Sequence, residues 1–265
     1  RVPTEGTPEP ASDDDPPLLT ELVEVYDGLT DRNYQEAWND ANDAREHSKR
    51  SFEMGLLSLE HLAAVERLYW RLCARILKIT RRMRYVPDDL DGLEPTLADT
   101  YYANFSVFQS APDTWALDQL FPVLPVHRLD EKPTRRAVIA DLTCDSDGKL
   151  SRFVDLRDVK RVLELHPLVQ GERYVLAMPL VGAYQEILGG MHNLFGRTNA
   201  VHVVVDDDGQ ARIDRVIDGA DVSSAVAHVQ YEAEDLFQRV EVAVAAARAE
   251  RGLAEDDGLR ILEQV

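Results

Sequence analysis

Two short segments of this 265-residue chain place chemically capable residue types at close spacing. The first is Asp141-Leu-Thr-Cys-Asp-Ser-Asp-Gly148. An ordinary thiol titrates near pH ~8.5, so near neutrality it holds a proton and can still release it. Cys144 followed directly by Asp145 therefore offers a proton donor and an anion to one ligand. The same letters also read as a strand running into a tight turn, with Cys144 a small buried hydrophobe. The second segment, Val181-Gly-Ala-Tyr-Gln-Glu-Ile-Leu-Gly-Gly-Met-His-Asn-Leu-Phe-Gly196, carries four glycines after an apolar run. Glycines allow close backbone approach to a ligand, and the Tyr184 hydroxyl is suited to donate to a phosphate oxygen. The alternative is a glycine-loosened loop with a packed tyrosine.

Other chemistry is missing from the pattern. There is no GxxxxGK[ST], no GxGxxG after a strand, no HExxH and no GxSxG. Asp145, Asp147 and Gly148 resemble a calcium loop only faintly, since the glycine comes too early and no Glu closes the frame. The Asn104-Phe105-Ser106 sequon means little without a secretory signal, and Asp206 to Asp208 read as a solvated hairpin tip. No metal ligand set is expected.

The balance of 29 basic against 48 acidic residues gives a net charge of −19, which argues against nucleic acid as a partner. No apolar run approaches the ~18 residues needed to span a bilayer, so no membrane partner is expected. Cys73 and Cys144 form no CxxC pair and suit a reducing, cytoplasmic setting. The chain opens on Arg1 rather than Met, and the expectation is a processed product or a fragment.

Residues 1–17 are rich in Pro and Asp and predict a disordered linker. A helical bundle is predicted over 18–82. Leu18, Leu22 and Val25 share a face that Gly28 ends. A second helix runs from Tyr34 to Phe52, with Asp31 placed to cap it. A third carries Leu62, Val65, Leu68, Tyr69, Leu72, Cys73, Ile76 and Ile79 on one side, with Arg67, Arg71, Arg75 and Lys78 on the other. Cys73 falls in the apolar stripe and reads as packing. Pro87, Gly92 and Pro95 then break the pattern.

Strand-like segments follow at Tyr101 to Gln109, Arg136 to Thr143, Phe153 with Val154, Tyr174 to Val181 and Ala200 to Val205. Asp147–Gly148 and Asp208–Gly209 sit where hairpin turns belong. This gives a β domain over 96–219. From Asp221 the pattern returns to helix, with a stripe from Val222 to Val240 and Ala-rich sequence to Gly252, making a C-terminal helical segment over 220–265. The fold class is α+β: helices, a β-rich domain, then helices.

LTCDSDG, VGAYQEILGGMHNLFG and the upstream YYANFSVFQSAPDTWALDQLFPVLP together resemble the biosynthetic arginine decarboxylases. Those are pyridoxal 5'-phosphate enzymes of fold type III, built on an alanine-racemase-like barrel plus a β domain of sandwich or barrel character. The likeness is close over residues 97–205. It is looser over 18–82, which resembles that family's bundle inserted after the barrel, and over 220–265, its C-terminal helical piece.

The resemblance implies roles. Cys144 would deliver a proton to the carbanionic carbon after carbon dioxide leaves. Asp145 would hold the distal cationic end of the substrate, and Asp118 in ALDQLFP would supply a second substrate-binding carboxylate. Tyr184 and Gly182, in the GAY motif, would contact the cofactor phosphate. The reaction implied is L-arginine to agmatine and carbon dioxide, feeding putrescine and spermidine synthesis. Magnesium is associated with the family, and a homo-oligomer is implied because one subunit's cysteine completes its neighbour's site.

One departure is large. The family's Schiff-base lysine lies on the barrel, and none of Lys49, Lys78, Lys132, Lys149 and Lys160 matches it. The barrel is expected to be absent from this chain, which by itself would be inactive. An alternative from another class is a non-catalytic regulatory or interaction module derived from a basic-amino-acid decarboxylase. A third keeps the fold and changes the substrate to ornithine, lysine or diaminopimelate.

Overall fold

Proline opens the first helix because its missing N–H lies where a helix has no partner for one. In the computed structural model, which describes residues 15–156 and 158–264, α1 spans Pro17–Asp27 behind the N-cap Pro16, and Gly28 closes it by donating to Glu24 O. Most of the linker expected over 1–17 lies outside the described residues, and Pro17 itself is helical. The inward face of α1 centres on Leu19 and Leu22, with Leu18 and Val25 at its edge rather than at its middle.

α2 spans Tyr34–Glu53 and is not capped by Asp31. Its N-cap is Asn33, whose Oδ1 accepts from Thr30 N and Thr30 Oγ1 and whose Nδ2 donates to Gly28 O. The carboxamide supplies a donor as well as an acceptor, so it ties the α1–α2 turn from both sides; a carboxylate only accepts. α2 buries the small residues Ala37, Ala41 and Ser48, which let its neighbours approach. α3 spans Leu59–Thr80 and is capped by Ser58, which accepts from His61 N. Its buried stripe of Val65, Leu68, Tyr69, Leu72, Cys73, Ile76 and Leu77 follows the helical period and forms the middle of the core.

The polar side of this bundle is structured too. Arg45 grips Glu66 with Nε and Nη2 at 2.7 and 3.1 Å, and lies over the rings of Tyr69 and Trp70. Arg75 does not simply face solvent. It stacks on Tyr26 and donates to the carbonyls of Tyr26 and Leu29, satisfying acceptors that the end of α1 leaves open.

Beyond the bundle come a 3₁₀ turn at Asp88–Leu90, α4 (Leu93–Leu97) and β1 (Asp99–Tyr102). The strand expected to continue to Gln109 stops there. Ser106 instead caps the short α5 (Val107–Ser110) by accepting from Gln109 N, and α6 (Pro112–Ala116) follows. The next elements are β2 (Leu124–Pro125), β3 (Arg135–Ala140), β4 (Lys149–Leu150), β5 (Phe153–Val154), β6 (Val159–Lys160), β7 (Leu163–Leu165) and β8 (Leu176–Ala177). β3 pairs antiparallel with β7 through Arg135–Ala137 and with β4 through Ile139–Ala140. Only two residues of the run Tyr174 to Val181 form a strand, because Pro179 has no N–H for a ladder and Leu180 turns to a φ of 65°.

α7 (Ala183–Leu188) and a 3₁₀ turn at His192–Leu194 lead into the hairpin of β9 (Ala200–Val205) and β10 (Ala211–Ile217). Gly209, at φ 79°, makes its turn as the Asp-Gly pair predicts. Register places Val201, Val203 and Val205 beside Val216, Ile213 and Ala211, an apolar face whose valines and isoleucine are exposed. α8 (Val222–His228), α9 (Ala233–Arg251) and α10 (Glu255–Glu263) complete the chain, with Gly252 ending α9 in the left-handed conformation.

The chain divides into two compact units. One contains the described residues of Arg1–Tyr101, Pro125–Val138 and Ser151–Leu176; the other those of Tyr102–Leu124, Ile139–Leu150 and Ala177–Val265. In the first, Tyr101 and the buried His166 are tied by a 2.8 Å bond from the Tyr101 hydroxyl to the His166 carbonyl. His166 Nδ1 meets Tyr174 Oη at 2.8 Å, and its Nε2 meets Glu131 O at 3.0 Å.

Candidate active site

All five residues singled out in the sequence fall in the second unit, and its local geometry starts from Asp141. This buried carboxylate accepts from Val107 N through Oδ2 at 2.8 Å, and from Thr143 N and Thr143 Oγ1 through Oδ1 at 2.8 and 2.7 Å. Three donors to a single buried carboxylate balance its desolvation. The loop closes on Gly148. Its carbonyl accepts from Asp141 N and its N–H donates to Asp145 O. A Cβ on Gly148 would stand 2.2 Å from Asp141 Oδ1 and 2.4 Å from Thr143 Oγ1, so only glycine fits.

Cys144 stands at the outer bend of this loop and is exposed. It is not the buried hydrophobe of the simpler reading. Its N–H donates to Asn193 Oδ1 at 3.2 Å, across 49 residues of sequence. Asp145 Oδ1 accepts from Asp147 N at 2.9 Å, while Asp145 Oδ2 lies 3.4 Å from His192 Nε2, an ion-pair distance when the imidazole is protonated. Asn193 has φ 51°, a left-handed conformation that asparagine tolerates better than most residues.

The His192–Asn193 turn is anchored in turn by α5. Gly190 N donates to Phe108 O, and a Cβ on Gly189 would stand 2.3 Å from Gln109 O. The Phe108 ring lies 4.4 Å from that of His192 and 5.3 Å from that of Trp115. Gly189 thus permits close approach to this chain's own backbone at α5.

Tyr184 and Gly182 sit at the start of α7, with Gly182 as its N-cap. The Tyr184 side chain is 73% exposed and is not packed. α7 is held through the buried Gln185, which accepts from Asp113 N at 3.1 Å and donates to Asp113 Oδ2. An open cleft of about 330 Å³ runs past Gly182, Glu186, Arg197 and Thr198. Asp118 lies just after α6, exposed, at φ 55°.

The structure therefore brings the Cys144–Asp145 pair against the His192–Asn193 turn, while Tyr184 and Gly182 stand on the adjoining α7 of the same glycine-rich run. Asp141 opens the first of the two segments and Gln185, His192 and Asn193 lie in the glycine run, but none of the four is singled out there by its own type. Among the described residues no group of three or more His, Cys, Asp or Glu is gathered for a metal ion, and no helix is long and apolar enough to cross a membrane.

Comparison with known proteins bears on this arrangement. Residues 12–94 match the arginine decarboxylase helical bundle domain. The biosynthetic arginine decarboxylase of Nostoc sp. is 49% identical over 256 residues, covering 97% of this chain and 38% of that protein. That of Phocaeicola vulgatus is 45% identical over 250 residues, covering 94% of this chain and 40% of that protein. The crystal structure of the biosynthetic arginine decarboxylase from Campylobacter jejuni superposes with a TM-score of 0.72 at 28% identity, over 96% of this chain and 40% of that one.

A bundle of this type joined to mixed helix and strand is thus the architecture of part of an amino-acid decarboxylase. By sequence the chain belongs to the biosynthetic arginine decarboxylase family. It spans about two-fifths of the length of the relatives it matches.

Proposed function

We infer that this chain is the C-terminal part of a biosynthetic arginine decarboxylase, converting L-arginine to agmatine and carbon dioxide once the remaining part of the enzyme is supplied. The observation that carries the reading is the exposed Cys144, beside Asp145, on a loop held by Asp141 and Asn193 in a chain of this family. The bundle would span 18–82 and a fold type III β domain 96–219, with helices over 220–265. The barrel would come from polypeptide outside these residues.

The family's cofactor, pyridoxal 5'-phosphate, fits the residues present in part. An exposed thiol and an exposed phenol at a glycine-rich helix start suit its ring and phosphate. Of the five lysines only Lys149 falls in the second unit, and the lysine that carries the cofactor would come from the barrel. When bound, the cofactor supplies an electron sink for the pair left on carbon as carbon dioxide departs.

This chain's own residues would do the rest. Tyr184 and Gly182 hold the phosphate through hydroxyl and backbone N–H. Asp145, with Asp118, holds the guanidinium, which is planar and permanently charged and pairs well with a carboxylate. Cys144 gives its proton to the substrate carbon that has lost carbon dioxide; a C–H bond forms, and the thiolate is reprotonated from solvent. Correct delivery matters because a proton placed on another atom stalls turnover.

The site would be completed by a neighbouring subunit's barrel, in a homo-oligomer working in the cytoplasm. The proposal assigns no magnesium ligand to this chain. The test is complementation: the chain and the barrel-bearing part are expressed separately and together, and agmatine is measured. The expected result is activity only in the mixture. Agmatine formation by this chain alone, or none from a mixture shown to associate, would overturn the reading.

A further inference from the structure

The Cys144–Asp145 pair does not hold its own geometry. Asp145 Oδ1 is fixed by Asp147 N at 2.9 Å, and Oδ2 faces His192 Nε2 at 3.4 Å. A carboxylate has about four lone-pair directions. With one contact at each oxygen, each keeps acceptor capacity for a further bond, and a planar guanidinium engages both oxygens of a carboxylate with two parallel bonds. Cys144 has its backbone N–H tied to Asn193 Oδ1, and rotation of that peptide would swing the thiol.

Both partners come from one short turn that is itself built. His192 N donates to Gly190 O, its ring stacks on Phe108, and Asn193 holds the left-handed conformation that turns its carboxamide back toward the Cys144 loop. The groups facing His192 are Asp145 from the loop and the uncharged Phe108 ring from α5.

We propose that His192 and Asn193 are positioning residues, His192 setting the plane of the Asp145 carboxylate for a bidentate cation and Asn193 setting the direction of the Cys144 thiol. This rests on the reading of Cys144 and Asp145 given above and adds two residues to it. The two act on different steps. His192 serves recognition of the distal cation, and Asn193 serves proton delivery.

The variants separate these roles from folding. His192→Phe keeps the stack on Phe108 and removes the nitrogen; His192→Gln keeps a donor. Asn193→Gly keeps the backbone freedom and removes the acceptor; Asn193→Asp keeps the acceptor. In the assembled enzyme, His192→Phe is expected to raise KM for arginine about tenfold with kcat within about twofold, and His192→Gln to recover most of it. Asn193→Gly is expected to lower kcat and raise the fraction of turnovers that end in inactivation, with KM unchanged, and Asn193→Asp to recover part of kcat, its acceptor restored but a negative charge added beside the thiol.

A second readout needs no cofactor. Cys73 is buried, so alkylation of the native chain by iodoacetamide reports Cys144. Asn193→Gly is expected to change that rate about fivefold, the worth of one hydrogen bond. If Cys144→Ala impairs the enzyme while His192→Phe and Asn193→Gly match wild type in both readouts, this inference fails alone. If Cys144→Ala is itself silent, the underlying reading fails with it.

Discussion

Gly148 approaches Asp141 so closely that a Cβ at Gly148 would stand 2.2 Å from Asp141 Oδ1. The atom it would displace also accepts from Thr143, and the other oxygen of that carboxylate accepts from Val107 N. The loop presenting Cys144 thus hangs on contact between a residue that must be small and a buried one that must be an acceptor at both oxygens. Gly148→Ala is expected to cost about 1–3 kcal/mol through overpacking. Denaturant unfolding of the native chain measures this, and an unchanged midpoint would contradict the close contact.

Asp141→Asn tests the other half of that contact. A carboxamide has one acceptor oxygen where the carboxylate has two, so its NH₂ would face either Val107 N or the Thr143 donors. An unmatched buried pair of donors is expected to cost about 1–3 kcal/mol. Unfolding at neutral pH gives the number, and a silent substitution would mean that the loop is held some other way.

The two thiols are expected to differ sharply. Burial pushes the Cys73 thiol up to about 12 from an ordinary value of 9.0, against a weaker opposing effect of the Tyr69 hydrogen bond. Burial raises Tyr69 as well. One cysteine is therefore expected to react with a thiol reagent in the native chain and two after denaturation. The sign for stability follows from proton binding: between pH 9 and about 12 the unfolded Cys73 has lost a proton that the folded form keeps. Stability from this group is present below pH 9 and declines as pH rises toward about 12, and thermal unfolding across that range checks it.

Helix capping gives a local test in the bundle. Ser58 accepts from His61 N at the start of α3, and Ser58→Ala is expected to cost about 1 kcal/mol. Asp31 makes no cap of α2, so Asp31→Ala is expected to cost well under that. Equal losses in the two variants, measured by thermal unfolding, would show that the cap assignments are wrong.

The same comparison shows what the chain makes legible. The stripe from Val65 to Leu77 announces α3 because its burial follows the period of one helix. The choice of Asn33 over Asp31 depends on a turn closing back to Gly28 O, which spacing alone does not reveal. Val107 and Phe108 have strand-like side chains, yet Ser106 and the distant Asp141 carboxylate draw them into α5. Pro179 stands inside the run Tyr174 to Val181, and the apolar residues around it make the whole run read as a strand although β8 keeps only two residues. At the site, Cys144, Asp145, Tyr184 and the glycines stand out by type. The contacts of Asn193 and His192 with that loop do not, because they join residues 49 and 47 positions apart.

The measurement closest to the central claim is turnover of L-arginine by the assembled enzyme carrying Cys144→Ala. Loss of a positioned acid typically removes about 10²-fold or more of the rate. The account predicts a fall of that size, with fewer productive agmatine-forming turnovers before inactivation. Wild-type rate and wild-type product distribution in the variant would contradict it.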